Sequence, residues 1–222
     1  MLRKASLFVL GIVVLLLAVI VTRPSEYRVE RASTMTAPPT VIFDFVNDFH
    51  RWSSWSPWEK LDPAMTRTYD GSSAGSGAIY SWSGNDKVGA GRMTITDSKP
   101  GERIVIKLEF FKPWEATSTT TFTFTGQGDT TKVVWTMDGA NDLKGKAFTL
   151  FMNMDDMVGR DLEKGLSELK SQSETVARER AAAMAAAAVA PPPAAPAVPP
   201  AGVPADPVKP DAPGAKPTPP TP

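Results

Sequence analysis

The sequence predicts an α+β domain in which a long C-terminal helix covers one face of an antiparallel sheet. Three observations carry this. Short alternating runs follow one another from residue 66 to 137, separated only by turn-length gaps. An apolar stripe at three- and four-residue spacing extends from Phe151 to Leu169. Both ends differ in composition from the middle, dividing the 222 residues into an apolar 1–24, a mixed 25–180 and an Ala/Pro-rich 181–222. The middle segment is an ordinary size for one domain, large enough to enclose a core and a cavity.

Arg3 and Lys4 precede an apolar run from Ala5 to Val21, which Thr22-Arg23-Pro24 stops. At 1.5 Å per residue, such a run is near the lower limit for a hydrocarbon core of about 30 Å. A cleaved signal peptide shares the basic head and apolar stretch. This run, however, is longer than a usual signal core, and Ile20 to Pro24 offers no small-x-small cleavage site. The expectation is an uncleaved, single-pass membrane anchor over residues 1–24. Arg3 and Lys4 nearly balance Arg23, Arg28 and Arg31 in the positive-inside count. The short head before a signal-like run favours a domain on the extracytoplasmic, periplasmic side.

Glu26–Met35 predicts the first strand, and Ala37-Pro38-Pro39-Thr40 starts a helix with Val41, Ile42, Phe45, Val46 and Phe49 at helical spacing. The Trp-rich RWSSWSPW (Arg51–Trp58) forms an irregular corner. Strands then follow at Thr66–Tyr69, Ala78–Ser83, Gly91–Thr96, Arg103–Phe111, Thr117–Thr125 and Thr130–Met137, punctuated by Gly, Pro, Asn and Asp. Gaps this short fit an antiparallel meander, since parallel crossovers need a dozen residues or more. Ile104, Ile106, Leu108 and Phe110 share one face, and Val133, Trp135 and Met137 another, as in a sheet covered on one side. The covering helix spans Ala147 to about Arg180, with Asp156 and Arg160 spaced for an i,i+4 ion pair. Continued through the alanine run, it would approach 40 residues, about 60 Å, and project beyond a small domain. Beyond it, the Ala/Pro tail cannot bury enough apolar area to offset its ordering entropy and is expected to be disordered.

Composition excludes several function classes. Twenty-four basic against 24 acidic residues give zero net charge and no long-range attraction for nucleic acid. There is no cysteine and His50 is the only histidine, so no conventional zinc set exists and no metal or cofactor is expected. His50, at a helix end beside Arg51, fits a capping or surface role. Asp155 and Asp156 are adjacent on a helix and diverge by about 100°, which fits a solvated face rather than a facing acid pair. Asp138, Asn141 and Asp142 lack calcium-loop spacing. Glycines 71, 75, 77, 89 and 91 have no phosphate-loop context.

The segments RWSSWSPW at 51–58, IVIKLEFFKPWEATSTTTFTF at 104–124 and VVWTMDGANDLKGKAFTLFMNMDDMVGRDLEKGLSELK at 133–170 resemble the START-like (SRPBCC) superfamily. The likeness is closest to its bacterial polyketide cyclase/dehydrase-like branch and covers about residues 27–170. It implies a helix-grip fold, a curved sheet wrapped around the C-terminal helix with an apolar cavity between them. Six Trp, ten Phe and the cluster Met152, Met154 and Met157 suit adaptable apolar walls. The expected cavity residues are Trp55, Trp58, Tyr80, Trp82, Phe110, Trp135, Met154 and Met157, with Trp55 or Trp58 reaching the mouth. Tyr80, Arg92 and Glu109 are the inward-facing ionisable candidates. The expectation is a binding module for a lipid or other hydrophobic small molecule, with no catalytic residue evident. The alternative is a polyketide cyclase-like enzyme in which pocket shape folds the substrate and a polar residue moves a proton.

Overall fold

A computed structural model describes residues 2–150 and 153–189, the side chains of residues 2, 3, 5, 148 and 189 excepted. Phe151 and Met152, and the tail from residue 190, lie outside the described residues.

Seven strands build the sheet: β1 (Glu26–Met35), β2 (Thr66–Gly71), β3 (Ala78–Ser83), β4 (Ala90–Lys99), β5 (Arg103–Lys112), β6 (Ala116–Gln127) and β7 (Thr130–Ala140). Their order is β1-β7-β6-β5-β4-β3-β2, and every pairing is antiparallel. β1 and β3 have the expected bounds, while the other strands run one to three residues further. Ladder hydrogen bonds do not stop where apolar alternation stops, so polar residues at strand ends still pair. Register shifts at Ala90/Gly91 and Ile95/Asp97 bend β4. The result is a curved sheet with a long helix across its inner face, the helix-grip arrangement.

Helix α2 (Pro39–Asn47) begins with Pro at the position where a missing N–H costs nothing. Its last carbonyls have no partner within the helix. The Trp-rich corner supplies them: Trp52 Nε1 donates to the Val46 carbonyl at 3.0 Å, and Trp55 Nε1 to that of Phe45 at 3.1 Å. The corner is therefore ordered, as two 3-10 turns at Phe49–Ser54 and Pro57–Lys60.

The covering helix is two helices, α3 (Leu143–Phe148) and α4 (Met154–Val189), where the apolar spacing predicted one. The signals for the break are polar. Asp142 Oδ1 accepts from the Gly145 N–H at 2.7 Å and caps α3, while Asn153 Oδ1 accepts from the Asp155 N–H at 3.0 Å and starts α4. The alanine run as far as Val189 extends α4, so the helix reaches 36 residues and takes in the first part of the expected tail.

Leu162, Leu166 and Leu169 are fully buried on the sheet side of α4. Gly165 lets α4 rest on the sheet, since a Cβ there would stand 2.7 Å from Trp135 Cζ3 and 3.2 Å from Pro57 Cδ. Arg31 of β1 fixes the first turns, donating to Asp155 at 2.9 and 3.0 Å and to Glu163 at 2.6 Å. These bonds hold the Asp155 carboxyl below the usual range, so the exposed Asp155 of the expected solvated face is also ion-paired. Arg160 does not pair with the Asp156 carboxylate; it donates to the Asp156 carbonyl at 2.7 Å. Contacts from Arg31–Asp155 to Thr36–Glu174 show that α4 runs in the same direction as β1.

Helix α1 (Leu2–Val21) forms on the apolar run. Among the described residues no helix is long and apolar enough to cross a membrane, so the expected spanning helix is not found. The described side chains of the run, Ser6 to Val21, would extend about 24 Å at 1.5 Å per residue, less than a hydrocarbon core.

Leu162→Ala should lower unfolding free energy by about 2–5 kcal/mol in denaturant titrations. Gly165→Ala should also destabilise, although alanine gains about 1 kcal/mol of helix propensity over glycine, because Trp135 and Pro57 cannot yield. A more stable Gly165→Ala variant would show that α4 does not rest on Trp135.

Candidate functional site

Side chains of the inner face form rungs across the sheet, and their burial changes along it. Ile104, Phe122 and Trp135 face one another across β5, β6 and β7 and are 0–1% exposed beneath α4. Phe122 and Trp135 stack at 4.6 Å, with Trp55 and Trp58 edge-on to Trp135 at 5.7 and 5.8 Å. Trp135 Nε1 donates to Thr120 Oγ1 at 2.6 Å, whose own proton goes to the Thr136 carbonyl at 2.8 Å. Rings fill the space here. Trp55, expected near the mouth, is buried in this plug together with Trp135, and Trp58 lies partly buried beside them.

Two rungs nearer the start of β1 the surface begins to open. Leu108 and Met93 on that rung, and Met137 one rung before it, keep 6–8% exposure, while Tyr27 on the same rung and Trp82 and Phe110 on the next are half-buried. Trp82 packs edge-on against Phe110 at 5.8 Å and stacks with Tyr80 at 6.1 Å, while its Nε1 donates to the Val88 carbonyl. Tyr27 lies over Gly139, where any Cβ would strike its ring, and its hydroxyl meets Ser118 Oγ at 2.8 Å. Met154, one turn before the core residue Val158 on α4, and Met157 are half-buried at the same end of the helix. The structure thus separates the expected cavity residues. Trp55, Trp58 and Trp135 form the sealed plug, Tyr80, Trp82 and Phe110 the wall of the open end, and Met154 and Met157 the adjoining start of α4.

Tyr80 is the one inward candidate that the inner face holds. It is 3% exposed and donates to Glu59 Oε1 at 2.5 Å, while Arg67 Nε donates to Glu59 Oε2 at 2.7 Å. Burial first, and the bond to Glu59 second, push the Tyr80 phenol far above its usual range, so it stays protonated. Glu59 was not legible as a site residue, because only the fold brings it to a tyrosine 21 positions later. Arg92 and Glu109 prove to face outward. They pair across β4 and β5 on the side opposite Leu108 and Phe110, and Lys107 and Arg92 hold the Glu109 carboxyl below its usual range. His50 stacks on Tyr69 at 4.2 Å with Nδ1 2.8 Å from Asp48 Oδ1, away from the open rungs.

A groove of 530 Å³ crosses β1, β7 and β6 at the open end. Strand alternation directs its Glu26, Arg28, Thr117, Thr119, Asp138 and Ala140 side chains to the outer face, with Arg28 bonded to Asp138 at 3.0 Å. Tyr27, Ser118 and Gly139, whose alternation is inward, also line it. Among the described residues, no group of three or more His, Asp or Glu side chains is placed to hold a metal.

Several solved structures are similar to this chain at low identity. Protein Mll3558 of Rhizobium loti is 18% identical over 66% of this chain and 96% of its own, with a TM-score of 0.49. The Aha1 dimer of Colwellia psychrerythraea is 14% identical over 67% and 96%, at 0.49. Protein CV1439 of Chromobacterium violaceum is 16% identical over 68% and 99%, at 0.48. No curated protein matches the sequence. The family model described as polyketide cyclase / dehydrase and lipid transport matches residues 26–174, which hold all seven strands and the part of α4 that covers them. The protein belongs to the polyketide cyclase/dehydrase and lipid transport family.

Proposed function

We propose that this domain binds a lipid or other hydrophobic small molecule at the open end of the grip and is held at a membrane by α1. The observation that carries the binding reading is the burial gradient along one apolar face. The same face that is sealed at Trp135 presents half-buried Trp82, Phe110 and Tyr27 farther along. An apolar surface that becomes accessible beside polar handles, here Tyr27 and Ser118, is the chemistry of a small-molecule site. The membrane reading rests on α1, where twelve large apolar side chains between Leu7 and Val21 are 40–71% exposed. A helix with no polar face has no stable position in water. The short basic head supports an extracytoplasmic domain.

Native mass spectrometry of the full chain in mild detergent should detect a co-purifying acyl-chain ligand. A fluorescent fatty-acyl probe should bind with the same affinity from about pH 5 to 9, because the carboxylate at the wall, Glu59, is already held by Arg67 and Tyr80. Phe110→Ala should shift preference toward longer chains, at up to about 0.8 kcal/mol per methylene. An empty protein that also ignores the probe at every pH would reject the binding reading.

A cyclase-like activity has one observation in its favour, the Tyr80–Glu59 pair on the inner wall. The Tyr80 proton is already committed to Glu59 and the ring is enclosed by Phe49, Tyr69 and Trp82, which fits a structural role better. Tyr80→Phe should therefore leave ligand retention intact. Its effect belongs to stability. The folded phenol is held neutral above its unfolded value of about 10, so that contribution is complete below that pH and is lost as pH rises through the alkaline range. Alkaline unfolding should be less steep in Tyr80→Phe. Loss of turnover of a polyketide-like substrate with binding retained would favour the enzyme instead.

A further inference from the structure

Outside α1, six large apolar side chains are exposed among the described residues: Leu61, Tyr69, Phe111, Trp114, Leu143 and Met184. Four of them gather at one end of the fold. Phe111 and Trp114 sit where β5 turns into β6, and Leu143 opens α3 just after β7. Leu61 precedes Asp62, whose carboxylate accepts from the Asn85 N–H at 2.7 Å and so ties that corner to the β3–β4 turn. Their exposures are 41% for Leu61, 49% for Phe111, 63% for Trp114 and 65% for Leu143. This is the end at which the inner face opens, since Trp82 pairs with Gly91 and Phe110 with Ala116 there.

It is also the end at which α1 joins the domain. Val21 and Pro24 offer carbonyls to Lys146 and Asn141, the Asn141 N–H donates to the Ser25 carbonyl at 2.8 Å, and α1 packs against α3. Ile20 is the one buried side chain described in α1, so its last turn is docked rather than trailing. Charge around the rim is close to balanced: Arg23, Lys87, Lys112, Lys144 and Lys146 stand against Glu26, Asp86, Glu115 and Asp142. An aromatic and leucine rim with balanced charge suits the interface of a bilayer, where tryptophan is favoured, and gives no preference for anionic lipid. α4 leaves this end in the direction of β1 and carries the exposed Met184 away from it.

We propose that the open end of the grip rests on the lipid surface, with Trp114, Phe111 and Leu143 entering the interface so that the ligand site faces the bilayer. The proposal builds on the reading of α1 as a membrane helix. It places ligand entry at the lipid surface, so that an acyl chain need not cross bulk water.

The chain has no cysteine, which makes single-site labelling direct. Full-length Trp114→Cys, Leu143→Cys, Met184→Cys and Leu10→Cys variants, each carrying an environment-sensitive dye, would be placed in neutral phosphatidylcholine vesicles with and without doxyl-labelled lipid. The expected result is a blue shift and loss of emission at positions 114, 143 and 10, with position 184 unchanged and no effect of high salt. Quenching at position 10 alone would overturn the docking proposal while the membrane reading stands. Quenching at 184 as strongly as at 114 would overturn the orientation. Water-like emission at all four positions would overturn the membrane reading and the docking with it.

Discussion

Trp135 is gripped from every side. Its ring stacks on Phe122, takes the edges of Trp55 and Trp58, and lies under Gly165 of α4, where a Cβ would stand 2.7 Å from it. Its indole nitrogen is satisfied through Thr120, which is in turn satisfied by β7. Several elements meet at this ring: β6, β7, α4, the Trp-rich corner and, through the corner's indole N–H groups, the end of α2. A buried indole with its nitrogen bonded can supply a large apolar contact without an unsatisfied donor. That lets one residue define both the depth of the core and the seat of the helix.

The same plug decides where a ligand can go. Once rings occupy the middle of the grip, the apolar inner face among the described residues becomes accessible toward Trp82, Phe110 and Tyr27. The family supports both hydrophobic-ligand transport and cyclase chemistry. Within this chain, the ionisable groups bear on that choice. Glu109 and Arg92 neutralise each other on the outer face, and Glu59 is saturated by Arg67 and Tyr80. Polar groups enclosed in complete hydrogen-bond networks stiffen a wall and are poorly placed to exchange protons with a substrate.

The two long helices are tied to the domain at different places. α1 joins the sheet where the grip opens, and α4 departs from there past the far end of β1. A membrane at the α1 side would place the exposed Trp114 and Leu143 at the lipid and the alanine-rich end of α4 away from it. Contacts near Ile20, Asn141 and Lys146 give that geometry its rigidity.

The sequence by itself determined what depends on local periodicity. Alternation over Arg103–Phe111 and Thr130–Met137, and the three-four stripe of Leu162, Leu166 and Leu169, assigned strands, helix and buried faces, because side-chain direction follows from position within a regular element. Helix starts set by capping were less visible: Asp142 starts the short α3 ahead of the predicted helix and Asn153 starts α4, and only their side-chain bonds to following N–H groups reveal it. The resemblance over about residues 27–170 conveyed the grip, yet it could not tell plug from wall. Trp55 and Trp82 are both aromatic, both close to turns and both apt to line a cavity. Only the tertiary structure placed one beneath α4 and the other at the opening, whereas Arg92 and Glu109 face outward by plain alternation with Met93 and Leu108. Burial is a property of what lies across from a residue, and that partner is set by register and helix packing between segments far apart in the chain.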